Sequence, residues 1–311
     1  MEKILLLGGT GFIGSSVAEQ LIRIGMKVTI PTRMRERSRH LLTLPTAQLV
    51  EADIFDPRQL DQLVAGHDAV INLVGILHGD FERMHVELPR TVAESCVRHG
   101  VTRLIHMSAL NAAVDAPSAY LQSRGRGEQA VRAVATRAPG LHLTVFQPSI
   151  VFGQDDRFLN MFAGLVKFSP FVPLGSPDAR FQPVWVEDVA RAIVTSLTLQ
   201  ETVGQTYPLV GPDVFTLRQL IEMVMDMSGH RRPVLPLGNG ASRLQAAVFE
   251  HLPGKLITRD NVLSMSIPSV SATPFPAIFG RAHSVAAIVP AYLTHVTGRA
   301  RYNVLRQGAG R

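Results

Sequence analysis

The sequence predicts an α/β protein with a doubly wound parallel sheet and a smaller C-terminal lobe. A glycine-rich turn at residues 8–14 joins a short apolar run to a segment of helical periodicity near the start of the chain. Apolar runs and helical segments then alternate as far as Gly153, which is the pattern of a parallel sheet flanked by helices. After Gly153 prolines become frequent and the periodicity weakens. We therefore expect a first domain at residues 1–153 and a smaller one at residues 154–311, with a segment around residues 181–200 returning to the first.

The predicted strands are short apolar runs, and the predicted helices follow apolar residues at helical spacing. The fourth strand, Ala-Val-Ile-Asn-Leu-Val, is almost continuously apolar, which is typical of a central parallel strand. Asp56 and Pro57 supply a helix N-cap and first helical position. The strands are predicted at residues 3–7, 27–31, 48–52, 69–74, 103–107 and 141–146. The helices are predicted at residues 15–24, 57–65, 83–98, 119–134, 186–199 and 217–227.

Three glycines are evenly spaced in the turn that follows the first strand. Gly8 can supply the sharp turn, Gly11 a close backbone approach to a pyrophosphate, and Gly14 tight packing of the helix on the strand. The N–H groups at the helix start then face the anionic phosphates, with the helix dipole behind them. The turn predicts a Rossmann-type dinucleotide site whose pyrophosphate is held by Gly8, Thr10, Gly11, Phe12, Ile13 and Gly14.

The end of the second strand bears on which dinucleotide is bound. A carboxylate there binds the 2′-hydroxyl of NAD, whereas a basic residue favours the 2′-phosphate of NADP. The strand runs into Thr32 and Arg33, and no carboxylate occurs before Glu36. We therefore expect NADP(H) to be favoured, with Arg33 on the phosphate, and NAD(H) stays open. The alternative is that the run of arginines after this strand, Arg33, Arg35, Arg37 and Arg39, forms a solvated loop and helix face. At the end of the third strand, Asp53 and Ile54 are expected to frame the adenine.

The composition excludes several classes of protein. The chain has 311 residues, a net charge of +6 and 46% hydrophobic residues, which is enough for a sizeable core. Its single cysteine, Cys96, excludes an internal disulfide and a cysteine metal cluster, and the histidines lack ligand spacing, so no metal is predicted. The basic residues do not form a run interleaved with aromatics, which argues against nucleic acid. No apolar run has the length of a membrane span or a signal peptide, so we expect a cytoplasmic protein.

Three polar residues are candidates for catalysis. Ser108 ends the fifth strand, and Tyr120 and Arg124 lie one turn apart on the next helix, so they share a face. Together with other motifs in the same order, they make the sequence resemble the short-chain dehydrogenase/reductase superfamily in its extended or atypical branch, the NAD-dependent epimerase/dehydratase type. Those motifs are the glycine turn at 8–14, Asp53, Asn72-Leu73-Val74-Gly75, Gln147-Pro148-Ser149-Ile150-Val151-Phe152-Gly153 and Trp185-Val186-Glu187-Asp188-Val189-Ala190.

The resemblance implies a role for each of these residues. Tyr120 would be the general acid/base and Ser108 would hydrogen-bond the substrate oxygen. The family has a lysine where this chain has Arg124; that lysine binds the nicotinamide ribose, and its charge favours the tyrosinate. Arginine keeps the charge but is larger and planar, so we expect catalysis to be affected more than cofactor binding. The remaining cofactor contacts implied by the resemblance are Val74, Gly75 and Pro148, with Tyr120 and Arg124 beside the nicotinamide.

Within the superfamily the chain is similar to the branch that contains the NAD(P)H-binding accessory subunit of respiratory complex I and its bacterial relatives. The glycine turn, residues 120–124 with Gly127-Glu128, and residues 256–262 carry this likeness. It implies a nucleotide-binding protein with a structural, regulatory or weak redox role in respiratory or quinone-linked metabolism. The alternative is an active oxidoreductase, epimerase or dehydratase that acts on a small carbonyl compound or a nucleotide sugar. The sequence does not identify the substrate.

The C-terminal stretch suggests two further alternatives. An apolar stripe at helical spacing is formed by Val285, Ile288, Val289, Tyr292 and Val296, although Pro290 interrupts it. After Asp260 the only charged side chains are basic, at Arg281, Arg299, Arg301, Arg306 and Arg311. The stretch could contact an anionic membrane surface or a membrane-associated respiratory complex, which would place the protein on the inner face of the membrane. Alternatively, it is a helix packed on its own lobe, followed by a solvated basic tail.

Overall fold

The fold is described from a computed structural model, which covers residues 1–237 and 258–293. The chain divides into two compact units, and the first is built from three separate segments, Met1–Pro148, Val186–Leu209 and Phe275–Arg281. The described part of the second unit comprises residues 149–185, 210–237, 258–274 and 282–293. The returning segment expected around residues 181–200 begins at Val186 and runs to Leu209, and the short segment Phe275–Arg281 also belongs to the first unit.

Strands and helices are numbered here in chain order. The strands are β1 Lys3–Leu7, β2 Lys27–Thr32, β3 Ala47–Glu51, β4 Ala69–Asn72, β5 Arg103–Met107, β6 His142–Pro148, β7 Val151–Phe152, β8 Val172–Gly175, β9 Arg180–Phe181, β10 Val184–Trp185, β11 Thr206–Leu209, β12 Phe215–Thr216 and β13 Val234–Leu237. The α-helices are α1 Phe12–Arg23, α2 Pro57–Val64, α3 Leu88–Arg98, α4 Ala119–Arg137, α5 Phe158–Phe168, α6 Val186–Ser196, α7 Leu217–Ser228, α8 Arg259–Ser264, α9 Val285–Ile288 and α10 Pro290–Leu293.

The first unit contains a parallel sheet of seven strands in the order β11-β6-β5-β4-β1-β2-β3. Strand order runs outward from β1 in both directions, so the chain changes direction along the sheet between β1 and β4. In open parallel sheets, ligands bind outside the carboxyl ends of the strands at such a switch point. The predicted α/β fold with a doubly wound parallel sheet is confirmed.

The core of this unit is made by the central strands and the helices on either face. The four residues 4–7 of β1 are fully buried, and all four residues of β4 are buried. Cys96 lies in the same core with no exposed surface. The returning segments are tied to one another by Arg191 of α6, which pairs with the buried Asp188 at 2.7 Å and donates through Nε to the carbonyl oxygen of Phe279 at 2.7 Å.

Two elements near the switch point differ from their prediction. Strand β4 ends at Asn72 rather than at residue 74, because the Asn72 side-chain oxygen accepts from the Val74 N–H at 3.1 Å and turns the backbone away from the sheet. The predicted helix at 83–98 begins with a π-helical turn, Arg83–Glu87, and continues as α3. A π-helical turn holds one extra residue, a feature that is frequent at functional sites.

The second unit has its own apolar core between α5 and α7. Val285, Val289 and Leu293 of the C-terminal stripe are each at most 1% exposed and belong to this core. This favours the packed alternative for that part of the stretch, which forms two short helices, α9 ending at Ile288 and α10 beginning at Pro290. Val296 and the arginines from Arg299 onward lie outside the described residues. Within residues 1–237 and 258–293, no helix is long and apolar enough to cross a membrane.

Candidate dinucleotide site

The glycine turn lies at the carboxyl end of β1 and leads directly into α1. Gly8 has a φ of +81°, in the left-handed region that favours glycine, and the Gly11 N–H donates to its carbonyl oxygen at 3.0 Å. A Cβ on Gly14 would overlap the carbonyl oxygen of Gly8, so a side chain there would force the turn open. Gly11 is the N-cap residue of α1 and offers no side-chain cap, so the first amides of the helix can face an anion.

The loop after β4, residues 73–76, lies against this turn. A Cβ on Gly8 would be 3.1 Å from the carbonyl carbon of Leu73 and 3.2 Å from the Val74 nitrogen, so the two backbones are nearly in contact. Because β4 and β1 flank the switch point, their two loops line the crevice where a dinucleotide would cross the sheet. The predicted cofactor residues Val74 and Gly75 are therefore adjacent to the predicted pyrophosphate turn.

The predicted adenosine contacts follow β2 and β3. Arg33 comes directly after β2, and its side chain is exposed. Asp53 is exposed two residues beyond β3, where its Oδ1 accepts from the Phe55 N–H at 3.0 Å and its own N–H donates to Gln59 at 2.9 Å. Ile54 is half-buried beside it. Since β2 and β3 are parallel neighbours, these residues lie at the same edge of the sheet as the glycine turn.

Arg124 lies at the carboxyl ends of β4 and β5. Its guanidinium is buried, with 7% of the residue exposed, and Nη1 donates to the carbonyl oxygens of Val74 at 3.3 Å and Met107 at 3.2 Å. A Cβ on Gly75 would overlap Nη2, so the lack of a side chain at Gly75 makes room for the guanidinium. The Arg124 Cζ lies 5.6 Å from the centre of the Tyr120 ring. The structure therefore brings Tyr120 and Arg124 together, and it holds the arginine against backbone carbonyls.

Ser108 and Pro148 lie at the same ends of neighbouring strands. Ser108 directly follows Met107 of β5 and is 2% exposed, and its N–H donates to the carbonyl oxygen of Phe146 at 2.7 Å. Pro148 ends β6, and its carbonyl oxygen accepts from the Leu110 N–H at 2.9 Å. The predicted catalytic serine is thus fixed by its backbone beside the carbonyl that Arg124 holds.

Buried polar atoms without a partner are concentrated in this place. Asn72 Nδ2, His106 Nδ1, Ser108 Oγ and Arg124 Nε are buried and have no hydrogen bond partner in the described part of the chain. Asn72 and His106 are register partners at the ends of β4 and β5. An unpaired buried polar atom costs about 1–3 kcal/mol, so native proteins retain few of them without a reason. Together with the glycine turn, these atoms fit a ligand that is anionic at its centre and rich in hydroxyl groups, as a dinucleotide is.

Two buried histidines adjoin the site. Burial, reinforced by the positive charge of Arg124, lowers the pKa of His85 and that of His106 to about 3. Both rings are therefore neutral at physiological pH, and the positive charge beside the crevice comes from Arg124. Nothing in the sequence marks His85 as a site residue, since it lies within a predicted helix and belongs to no motif. Only the three-dimensional structure shows that its ring reaches the loop after β4.

Comparison with known proteins agrees with this geometry. The model of the NAD dependent epimerase/dehydratase family matches residues 4–209, which is more than half of the chain and includes every site residue described above.

The chain belongs to the NAD dependent epimerase/dehydratase family.

The chain is also similar to proteins that are named as subunits of mitochondrial NADH dehydrogenase. NADH dehydrogenase [ubiquinone] 1 alpha subcomplex subunit 9 of Arabidopsis thaliana is 36% identical in an alignment of 233 positions that covers 71% of this chain and 57% of that protein. The subunit of the same name from mouse is 32% identical in an alignment of 284 positions that covers 88% of this chain and 74% of that protein. The chain thus spans only part of the length of these relatives. The predicted resemblance to this branch of the family is confirmed.

A solved structure shows that the fold is shared with the enzymes of the family. The dTDP-glucose 4,6-dehydratase of Streptomyces venezuelae, determined with NAD bound, superposes with a TM-score of 0.65. The match covers 76% of this chain and 85% of the dehydratase at 22% identity. Membership of this family supports a nicotinamide dinucleotide as the cofactor, without distinguishing NADP from NAD.

Proposed function

We propose that this chain binds a nicotinamide dinucleotide, with NADP(H) preferred, as a nucleotide-binding module of a respiratory or quinone-linked assembly. The observation that carries the proposal is the placement of Arg124. In the catalytic branch of the superfamily a lysine at this position is expected to face the cofactor ribose and lower the tyrosine pKa. Here the guanidinium instead donates to the carbonyl oxygens of Val74 and Met107. This contact stabilises the crevice and commits Nη1 to backbone oxygens, while Nε has no partner in the described part of the chain; the arrangement suits binding better than turnover.

Each part of the crevice has a role in holding the cofactor. The turn at 8–14 would hold the pyrophosphate through backbone N–H groups, and residues 73–75 would adjoin the nicotinamide half. Asp53 and Ile54 would border the adenine, and Pro148 would close the opposite side. When bound, the nicotinamide supplies a hydride donor or acceptor. The chain's own contribution is to orient the cofactor and to keep the fixed positive charge of Arg124 beside it.

The preference for NADP(H) rests on the end of β2. The strand ends at Thr32, Arg33 follows with an exposed side chain, and Arg35 is exposed nearby. A guanidinium binds a phosphate through two parallel hydrogen bonds, whereas a carboxylate at this place would repel it. Glu36 is also exposed but comes three residues later. We therefore assign the 2′-phosphate to Arg33.

Membership of a larger assembly is proposed from the relatives. Two of them, at 36% and 32% identity, are named as subunits of mitochondrial NADH dehydrogenase. Such a module would associate peripherally with the membrane-bound complex through protein contacts. Its location on the inner face of the membrane is part of this proposal.

A second candidate function is an active oxidoreductase, epimerase or dehydratase. It is favoured by Ser108 and Tyr120, which follow the family order and lie at the crevice. The buried Ser108 hydroxyl has no partner in the described part of the chain, so it is able to hydrogen-bond a substrate oxygen. The substrate would be a carbonyl compound or a nucleotide sugar.

The test is calorimetric titration of nucleotide-free protein with NADPH and NADH, followed by a turnover assay of the bound cofactor with carbonyl and nucleotide-sugar compounds. We expect NADPH to bind more tightly than NADH. Arg33→Ala should lower the affinity for NADPH by about tenfold, which is the effect of losing one charged hydrogen-bonding group. The affinity for NADH should not change. Arg23→Ala is the matched control, since Arg23 is exposed at the far end of α1. If neither nucleotide binds, the proposal is wrong; efficient turnover would support the second candidate instead.

A further inference from the structure

His85 connects two parts of the candidate site that are distant in the sequence. Its ring is buried, with 1% of the residue exposed, in the π-helical turn Arg83–Glu87. The Ile76 N–H donates to Nε2 at 3.0 Å, and Nδ1 lies 2.8 Å from the Ser123 hydroxyl. Ile76 belongs to the loop after β4, and Ser123 belongs to α4. One imidazole ring therefore joins the loop after β4 to α4, the helix that carries Tyr120 and Arg124.

The direction of these hydrogen bonds is determined by the groups themselves. A backbone N–H can only donate, so Nε2 of His85 accepts and its proton is on Nδ1. Nδ1 then donates to the Ser123 hydroxyl, which in turn donates to the carbonyl oxygen of Tyr120 at 2.7 Å. The chain of hydrogen bonds runs from Ile76 through His85 and Ser123 to Tyr120 and requires a neutral ring. Burial keeps the ring neutral, since it lowers the pKa of His85 to about 3.

Aromatic contacts fix the same ring from its faces. Phe81 stacks on His85 with the ring centres 5.4 Å apart and the planes inclined by 17°. Tyr120 meets His85 edge to face at 5.7 Å and 80°. Phe81 also contacts Tyr120 at 6.1 Å, so the three rings form one cluster. The Tyr120 side chain is thus oriented by the cluster, and its backbone is held by the hydrogen-bond chain.

The backbone at His85 is positioned as closely as its ring. A Cβ on Gly127 of α4 would overlap the carbonyl oxygen of His85, so the helix and the π-helical turn are in direct backbone contact at this point. The loop after β4 is held on its other side by the glycine turn, since Gly8 lies against Leu73 and Val74. The loop therefore has one fixed place between the pyrophosphate turn and the His85 cluster.

We infer that His85 is a positioning residue that sets the loop after β4 and Tyr120 at the spacing required by the nicotinamide half of the cofactor. This inference rests on the proposed function, because it concerns the same crevice. It predicts a selective effect. Loss of the two His85 hydrogen bonds should release residues 74–76 and disturb the nicotinamide half, while the adenosine contacts after β2 and β3 remain.

The test compares two ligands by calorimetric titration: NADPH, and 2′,5′-ADP, which is the adenosine half with its 2′-phosphate. His85→Phe retains an aromatic ring against Phe81 and removes both hydrogen bonds. We expect this variant to bind NADPH with about tenfold lower affinity, which corresponds to the loss of about 1.4 kcal/mol of hydrogen bonding. Its affinity for 2′,5′-ADP should not change. The matched control is His78→Phe, because His78 lies two residues after Ile76 in the same connection but is exposed; it should change the affinity for neither ligand.

Two outcomes of this titration would overturn the inference, and a third would overturn the proposed function. Unchanged NADPH affinity in His85→Phe, or equal weakening of both ligands, would overturn the inference, because a merely structural role would affect both halves alike. If His85→Phe does not fold, Ser123→Ala removes the link to Tyr120 alone and should show the same selectivity, to a smaller degree. Failure of the unaltered chain to bind NADPH would instead overturn the proposed function.

Discussion

Gly75 and Arg124 are fitted to each other. The guanidinium is buried among backbone carbonyls, and the space that it fills is the space that a side chain on Gly75 would take. A buried cation is costly unless its donors are used, so its two carbonyl contacts offset part of the cost of desolvation. The absence of a side chain at Gly75 is therefore a requirement of Arg124 rather than of the local turn.

A double-mutant cycle tests this fit. Gly75→Ala should destabilise the chain by about 1–3 kcal/mol, because the new methyl group displaces the guanidinium from Val74 and Met107. In the Arg124→Lys background the same change should cost much less, since an ammonium on a linear stem needs less room. The measurement is denaturant unfolding of the four variants. Equal costs in the two backgrounds would show that Gly75 and Arg124 are independent.

Helix α4 comes close to its neighbours at two glycines. A Cβ on Gly125 would lie 2.5 Å from the backbone carbonyl carbon of Ala113, and one on Gly127 would overlap the His85 carbonyl oxygen. Glycine inside a helix costs about 1 kcal/mol relative to alanine. In α4 the lack of side chains at Gly125 and Gly127 lets the helix approach the backbone of the loop after β5 and of the π-helical turn. This close approach places Tyr120 and Arg124 at the crevice.

Two glycine-to-alanine variants should therefore have opposite effects. Gly127→Ala forces backbone atoms apart and should destabilise the chain by about 2–4 kcal/mol. Gly164→Ala in α5 is the control, since no atom lies within 4 Å of its added Cβ. That variant should stabilise the chain by about 0.5–1 kcal/mol through helix propensity. Thermal and denaturant unfolding report both; a stabilising Gly127→Ala would contradict the close approach.

The sequence was sufficient for six strands of the sheet and the helices that follow them, but it did not predict α5, the edge strand β11 or the contacts between elements. Periodicity located β1 and β5 to the residue because each is a short, mainly apolar run that begins at a basic residue and ends before Gly8 or Ser108. It placed the end of β4 two residues late, since hydrophobicity does not reveal that the Asn72 side-chain oxygen accepts a hydrogen bond from the Val74 N–H. The sequence also did not predict the π-helical turn, because the spacing of its apolar residues differs little from that of an α-helix. The environment of Arg124 depends on residues from three separate elements, which no local pattern encodes.

Acid should destabilise the first unit in two steps. His85 and His106 have pKa values near 3 in the folded chain, against 6.5 for an unburied histidine. The unfolded state therefore binds more protons below pH 6.5, so their contribution is complete above that pH and is lost as the pH falls towards 3. The carboxylate of Asp61, whose pKa is held below its usual 3.8 by Ser95 and Arg98, adds a second loss below about pH 4.

The histidine part of this dependence can be isolated. Between pH 6 and 4, each buried histidine should lower the free energy of unfolding by about 1.4 kcal/mol per pH unit. His85→Phe should reduce the slope by that amount, because the variant lacks the buried ring that takes up a proton on unfolding. Denaturant unfolding at a series of pH values gives the slopes. A slope in His85→Phe equal to that of the unaltered chain would show that His85 is protonated in the folded state.

The division of the first unit into three chain segments also affects how the protein is made. Strand β11 pairs with β6, yet 57 residues, 149–205, separate the end of β6 from the start of β11. During synthesis from the N-terminus, β6 therefore stays an edge strand until the ribosome has released residues 206–209. An unpaired edge strand invites association with other chains. The nascent sheet is thus most prone to aggregation during that interval, and a chain truncated before residue 206 would keep the exposed edge permanently.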